Sequence, residues 1–184
     1  GRLLAAPPDD GSAKSLRDRA LLALLYATGM RVTEAVTLSV ADVDPDSGVV
    51  TCQSQDGQLR PVSLSDDAQR IISAYLEGGR NRLLSDPDES ALFLNHRGER
   101  LTRQGLWLII KSHAERAGLA PDVTPHTLRH PFAAHQIAQG ADLRQVQRML
   151  GHANLSTTHV YTQVAAQMEP PGPAQSTVRS AETE

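Results

Sequence analysis

The residues that could do chemistry concentrate in the last third of the chain. His126 and Arg129 lie three positions apart, and His152 and Tyr161 follow. A guanidinium binds the non-bridging oxygens of a phosphate in a fork. An imidazole can transfer a proton near neutral pH, and a phenol can act as a covalent nucleophile. Gathered at one site, these groups suit attack on a phosphodiester, and Arg31, far upstream, could supply a second guanidinium.

Hydrophobic periodicity predicts the helices that must position these groups. Gly29 is a stop signal after the first helix, and Gly78 and Gly79 are expected to end the third. Pro125 suits the first position of the helix that carries the histidine–arginine pair, and Tyr161 falls on the last helix. The predicted helices cover about residues 15–27, 32–38, 65–76, 102–118, 124–140, 142–150 and 156–168.

A small sheet is predicted between the second and third helices. Over residues 49–64, β-forming residues flank Asp56-Gly57, a dipeptide typical of tight hairpins. A short buried strand is expected at residues 91–94, followed by a basic turn around Gly98. The predicted fold class is therefore mainly α with one small antiparallel sheet (α+β).

The length of 184 residues fits one globular domain with its own core. No stretch is apolar and long enough to cross a bilayer, and no secretory signal opens the chain. Cys52 is the only cysteine, so an intrachain disulfide is excluded and a reducing cytoplasm is the expected location. Residues 1–14 are expected to be a linker remnant, residues 15–167 the folded domain and residues 168–184 a disordered tail.

The net charge of −3 by itself argues against a nucleic-acid partner. However, 16 of the 18 basic residues are arginine, and Lys14 and Lys111 are the only lysines. Many of the acidic residues fall in predicted turns and tails, where they lower the total without neutralising a basic face. The total charge therefore does not decide the partner.

Four segments of the chain carry a family resemblance. They are ATGMRVTE at 27–34, HTLRH at 126–130, LGH at 150–152 and LSTTHVYT at 155–162. In this order and spacing they resemble the signatures of the tyrosine site-specific recombinases, especially the Xer type. The resemblance runs from about Leu3 to Val164 and implies the catalytic-domain fold of that family.

The resemblance also implies a role for each candidate residue. Tyr161 would attack a DNA phosphate, release a 5′-hydroxyl and leave a 3′-phosphotyrosyl link. Arg31 and Arg129 would bind the non-bridging oxygens in the transition state, and His126 would accept or donate a proton. His152 would hydrogen-bond the phosphate. Glu34 matches an acidic position of the family and would orient Arg31.

Partners follow from the same resemblance. They would be a double-stranded DNA recombination site and further protomers, assembled on DNA as a tetramer. Family members also carry an N-terminal DNA-binding domain, which is expected to be missing from this chain. No cofactor or metal is implied, because two guanidiniums neutralise the charge that a cation would otherwise neutralise. His126 and His130 are spaced like a zinc pair, but the glutamate of HExxH is absent. A metal-dependent hydrolase stays open as an alternative from another class.

One departure from the family concerns a lysine. Relatives carry a catalytic lysine on the hairpin turn, and alignment of residues 60–64 with the following strand puts Gln55 at that position. An amide cannot protonate a departing alkoxide, and Arg60 is too weak an acid to replace the lysine. Strand cleavage is therefore expected to be slow. A DNA-binding pseudo-recombinase with little turnover is the alternative.

A second departure is Pro131, where relatives carry a small hydroxyl residue. Inside a helix, proline removes the hydrogen bond to the carbonyl of Thr127 and costs about 3 kcal/mol. Two outcomes are open: a strained, kinked helix, or a helix that is interrupted and restarts at Pro131.

Other arginines are expected to contact DNA phosphates, which would position the duplex without reading its sequence. Each could equally be a solvated surface residue. The candidates are Arg60, Arg97, Arg100, Arg103, Arg144 and Arg148.

Overall fold

The computed structural model describes residues 2–53, 57–119 and 125–150, without the side chains of 125–128 and 149. Within these ranges, helices predominate and one three-stranded sheet is present. The helices are α1 (Ala13–Thr28), α2 (Val32–Thr37), α3 (Asp66–Ala74), α4 (Asn81–Leu83), α5 (Arg103–Arg116), α6 (Pro125–Ala138) and α7 (Leu143–Leu150), and the strands are β1 (Val43–Asp44), β2 (Val49–Gln53) and β3 (Leu59–Ser63).

Helix α1 lies at the centre of the main core. Its aliphatic residues are buried around the whole circumference, as expected for a helix that is packed on all sides. The Ser12 side chain caps its first turn by accepting from the Ser15 N–H, and Gly29 ends it in the left-handed conformation, with φ of 60°. The predicted start and stop of this helix are confirmed to within two residues.

The sheet has the order β1-β2-β3, and all its pairs are antiparallel. Val50 and Cys52 alternate with more exposed residues along β2 and point into the core. Burial raises the pKa of the Cys52 thiol to about 11, so the thiol stays protonated at neutral pH. The two predicted hairpin strands are confirmed. Strand β1 was not predicted, because two residues are too few to show the alternation of apolar and polar residues that marks a strand.

The prediction that Gly78 and Gly79 end the third helix is wrong. The chain continues from α3 through a π-helical turn, Tyr75–Arg80, and into α4. A Cβ at Gly79 would lie 2.8 Å from Cδ2 of Tyr75 and 3.0 Å from Cβ of Leu16. The absence of a side chain at Gly79 therefore allows this segment to pack closely against α1. The neighbouring residues in the sequence do not indicate this contact.

The expected strand at residues 91–94 is buried, but it is not a strand. Only isolated bridges form, from Ala91 to Ser39 and from Leu94 to Arg100. The Tyr75 hydroxyl donates to the carbonyl of Leu92 at 3.0 Å and so replaces part of a strand ladder. The predicted turn is confirmed, because Gly98 has φ of 80°.

A buried ionic cluster joins α1 to α5. Arg17 Nη2 and Nε donate to Asp18 Oδ1 at 2.7 and 2.9 Å, and Arg17 Nη1 donates to the Leu94 carbonyl at 3.1 Å. His113 Nε2 lies 2.8 Å from Asp18 Oδ2. All three side chains of this cluster are almost fully buried. The sequence does not predict this cluster, because His113 lies 95 residues from Asp18 in the chain.

Helices α6 and α7 form a second, smaller apolar cluster. Phe132, Ala133, Val146 and Leu150 are its buried members. Asp142 caps α7 by accepting from the Gln145 N–H at 2.7 Å. Helix α6 runs without a break through Pro131, so the expectation of an interrupted helix that restarts there is wrong.

The ends of the chain bear on two further expectations. Leu3, within the expected linker remnant, is 8% exposed and packs on the main core. The last predicted helix and the expected tail at 168–184 lie outside the described residues. None of the described helices combines the length and apolarity that a membrane span requires.

We predict that Asp18→Asn lowers the free energy of unfolding by about 3–5 kcal/mol, because it leaves the buried Arg17 without its counter-charge. Asp67→Asn is the matched control. Asp67 also pairs with an arginine, Arg70, but both side chains are about four-fifths exposed. Its loss should be within about 1 kcal/mol. Urea unfolding curves compare the two, and equal losses would contradict a buried ionic contribution.

Pro131→Ser is expected to raise the free energy of unfolding by up to about 3 kcal/mol, because serine supplies the missing N–H within α6. Pro131 is exposed, so the loss of its ring costs little apolar burial. Pro125→Ser, at the first helical position, is the control and should change stability less. An unchanged melting temperature for Pro131→Ser would count against strain in this helix.

Candidate active site

The turn between α1 and α2 places Arg31. Thr28 Oγ1 donates to the Leu24 carbonyl at 2.7 Å and accepts from the Met30 N–H at 3.2 Å. Met30 is 2% exposed and anchors the turn in the core. Arg31 then occupies the N-cap position of α2 and is half-buried. Its backbone is therefore held from both sides.

Glu34 links Arg31 to the sheet. Its Oε2 accepts from the Arg31 N–H at 2.6 Å and lies 3.4 Å from Nη2 of Arg60 on β3. Glu34 itself is 8% exposed. One buried carboxylate oxygen thus serves both the backbone of one arginine and the side chain of another. The expectation that Glu34 orients Arg31 now has a defined contact, made to the main chain.

Arg129 reaches across the structure to the same turn. Its Nε donates to the Gly29 carbonyl at 2.8 Å, and its Nη2 donates to the carbonyl of Leu150. The guanidinium is almost fully buried, at 3% exposure for the residue. Gly29 precedes Arg31 by two residues, which span at most about 7 Å. The structure therefore brings Arg129 to the segment that carries Arg31.

Four predicted site residues are described only for the backbone or lie outside the described residues. His126 lies on α6 three positions before Arg129, which places the two backbone positions on neighbouring parts of one helical face. Nothing is described of the His126 side chain. Gln55, His152 and Tyr161 lie outside the described residues, although His152 follows Leu150, a partner of Arg129, by two positions.

The arginines predicted to contact DNA fall into two groups. Arg97, Arg103, Arg144 and Arg148 are exposed. By contrast, Arg60 and Arg100 are half-buried. Nη1 of Arg100 donates at 2.9 Å to the carbonyls of Val36 and Leu38 at the end of α2. Its Nη2 also donates to Ser39 Oγ at 3.2 Å. These contacts give Arg100 a helix-capping role that the sequence did not indicate.

No group of three or more histidine, cysteine, aspartate or glutamate side chains suited to a metal ion occurs among the described residues. In the described part of the chain, the guanidinium of Arg129 contacts Gly29, and the carboxylate of Glu34 contacts Arg31 and the guanidinium of Arg60. Such a site can bind an anion by charge-assisted hydrogen bonds.

Residues 1–168 match the Phage integrase family. The chain belongs to this family. It is 48% identical over 163 residues to the tyrosine recombinase XerC of Herpetosiphon aurantiacus, covering 89% of this chain and 53% of that protein. It is also 48% identical over 151 residues to the tyrosine recombinase XerD of Oceanobacillus iheyensis, covering 82% and 51%. The chain therefore spans about half the length of these relatives.

Solved structures agree with the family assignment. The XerA recombinase superimposes with a TM-score of 0.75 and 31% identity, covering 93% of this chain and 63% of that one. The XerH recombinase bound to a palindromic difH substrate, a post-cleavage complex, gives a TM-score of 0.74 and 27% identity, covering 90% and 48%. The predicted family and the tyrosine-recombinase catalytic-domain fold are confirmed.

Three features of this site were not predicted from the sequence. They are the carbonyls of Gly29 and Leu150 as anchors of Arg129, and the contact of Arg60 with Glu34. Gly29 did carry a signal, but it was interpreted only as a helix stop. The sequence does not show which carbonyls accept from Arg129, because every residue type has the same main-chain carbonyl.

We predict that Gly29→Ala destabilises the protein and displaces Arg129. A Cβ at Gly29 would lie 2.4 Å from Cδ1 of Phe132 and 2.9 Å from Cδ2 of Leu150. Left-handed strain costs about 1–2 kcal/mol, and overpacking typically adds about 1–3 kcal/mol. Denaturant unfolding measures the total.

Gly118→Ala is the matched control. Gly118 follows α5 with φ of 63°, close to that of Gly29, but nothing lies within 4 Å of its added Cβ. It should show the backbone strain alone. If both variants lose the same free energy, the close packing of Gly29 against α6 and α7 does not contribute.

Proposed function

We propose that this chain is the catalytic domain of a Xer-like tyrosine recombinase, which cleaves and rejoins double-stranded DNA through a 3′-phosphotyrosyl intermediate. The observation that carries the proposal is the anchoring of Arg129 at Gly29, beside Arg31. Membership of the family supplies the reaction class. The XerC and XerD relatives are named as recombinases, and they give no support to a pseudo-enzyme.

In the proposed reaction, the Tyr161 oxygen forms a bond to phosphorus while the bond to the 5′ oxygen breaks. The phenol loses a proton and the departing 5′ oxygen gains one, with His126 as acceptor or donor. Arg31 and Arg129 bind the non-bridging oxygens, and His152 hydrogen-bonds the same phosphate. An arginine that stabilises this kind of transition state accelerates phosphoryl transfer by roughly 10³–10⁵-fold.

The partners we propose are a double-stranded DNA recombination site and further recombinase protomers, four in the complete assembly. The exposed Arg97, Arg103, Arg144 and Arg148 would bind backbone phosphates. Action on chromosomal DNA would place the protein in the cytoplasm. An additional N-terminal DNA-binding domain stays an expectation from the family resemblance.

Covalent trapping tests the proposal. A suicide DNA substrate, nicked so that the cleaved strand diffuses away, should form a covalent adduct that is visible on a denaturing gel. Tyr161→Phe should abolish the adduct because it removes the nucleophilic oxygen. Tyr26→Phe, which removes the hydroxyl of a half-buried tyrosine on α1, should retain it. An adduct that survives in Tyr161→Phe, or cleavage that a chelator stops, would overturn the proposal.

Gln55 at the lysine position predicts slow cleavage, because general-acid help is typically worth about 10²–10⁴-fold. A bridging 5′-phosphorothiolate has a leaving group that needs no acid, so this substrate should be cleaved faster than ordinary DNA. Single-turnover trapping rates provide the comparison.

Gln55→Lys is the matched variant for this prediction. It should accelerate cleavage of ordinary DNA and leave the sulfur substrate nearly unchanged. If neither sulfur nor lysine increases the rate, the missing acid does not limit cleavage.

A further inference from the structure

Arg60 is a largely buried arginine whose hydrogen bonds are incomplete. Its side chain is 17% exposed, and its one charged contact among the described residues is the long 3.4 Å approach of Nη2 to Glu34. Nε and Nη1 are buried and have no hydrogen-bond partner among the described residues. A guanidinium cannot lose its proton in a protein, so its buried N–H groups cost free energy until an acceptor reaches them.

Arg17 shows what a purely structural buried arginine looks like in this fold. Its Nε, Nη1 and Nη2 all have acceptors within 3.1 Å, supplied by Asp18 and the Leu94 carbonyl. In Arg60, two of the same three atoms meet no partner in the part of the chain that the structure describes. The difference indicates that Arg60 is built to meet an acceptor from outside the described structure.

A cleft of about 460 Å³ opens beside Arg60, between the end of α1, β3, α6 and α7. Arg148 contributes a second guanidinium, and Thr28, Ser63 and Gln136 contribute polar side chains. None of the described residues that line the cleft is an aspartate or a glutamate, and Glu34 contacts Arg60 from outside this lining. Two guanidiniums without a carboxylate among them favour an anion with several oxygens.

We infer that this cleft binds a backbone phosphate of the DNA that is distinct from the phosphate attacked in the reaction. The inference rests on the proposed function for the identity of the anion. Arg31 and Arg129 are absent from the lining of the cleft, whereas Arg60 and Arg148 belong to it. The cleft is thus a separate subsite that lies next to the turn carrying Arg31.

The same geometry makes Arg60 a positioning residue. Glu34 Oε2 is shared between Arg60 Nη2 and the Arg31 N–H. A phosphate held by the Arg60 guanidinium is therefore connected through Glu34 to the backbone of Arg31. Occupation of the cleft couples correct placement of the duplex to the geometry of the reacting site.

A methylphosphonate scan tests the inference. Each phosphate of a recombination site is replaced in turn by this neutral group, and binding is measured in the Tyr161→Phe background, where no strand is cleaved. One position other than the scissile one should weaken binding by about 10-fold or more, as expected for a lost charge-assisted hydrogen bond. Arg60→Gln should weaken binding of unmodified DNA similarly and lose the sensitivity at that position.

Two further variants keep the test decisive. Arg148→Gln alters an exposed residue, so it should fold, and it should lose sensitivity at the same phosphate. Arg70→Gln removes an exposed arginine outside the cleft and should keep the full scan pattern. The log–log salt dependence of binding should become less steep by about one for Arg60→Gln and be unchanged for Arg70→Gln.

A role confined to Glu34 is distinguished by a double variant. In a Glu34→Gln background, Arg60→Gln should still weaken binding and still lose the methylphosphonate position. Disappearance of both effects, or an unchanged scan in the single Arg60→Gln and Arg148→Gln variants, overturns the inference. Covalent trapping by the unaltered chain on unmodified DNA reports separately on the proposed function, so the two failures are distinguishable.

Discussion

The structure depends on how Arg129 is held. Its buried guanidinium donates to the carbonyl of Gly29, which ends α1, and to that of Leu150, which ends α7. Both acceptors lie at helix C-termini, where partial negative charge favours a cation. A buried guanidinium that keeps its charge needs such partners. The hydrogen bonds of one side chain on α6 therefore hold the ends of α1 and α7 next to that helix.

Close packing supports the same junction. Gly29 has φ of 60° and lies so near Phe132 and Leu150 that a side chain would collide with both. The glycine thus ends α1, exposes a carbonyl to Arg129 and admits the second apolar cluster. The turn that follows carries Arg31. The same three residues, 29–31, therefore contain both the packing contact at Gly29 and the candidate catalytic Arg31.

The two buried arginine–carboxylate pairs differ in how many guanidinium nitrogens have a hydrogen-bond acceptor. In the cluster of Arg17, Asp18 and His113, each of the three guanidinium nitrogens has an acceptor, and the cluster stabilises the contact of α1 with α5. The pair of Arg60 and Glu34 leaves two guanidinium nitrogens without an acceptor among the described residues, beside an open cleft. A guanidinium with an acceptor on each nitrogen is typical of a structural ion pair, whereas buried guanidinium nitrogens without an acceptor require another explanation, such as a ligand.

The sequence by itself determined the helix caps, the hairpin, the family and the types of the site residues. Those features depend on local signals, such as Gly29 and Pro125 at helix ends, and on four motifs in a characteristic order. The tertiary structure alone decided that Gly79 packs against α1 instead of ending a helix. It also decided which acceptors Arg129 and Arg60 meet. The physical reason is distance along the chain, because Arg129 and Gly29 are 100 residues apart. A main-chain carbonyl that serves as an acceptor leaves no trace in the residue types, and only the packed helices bring it within reach.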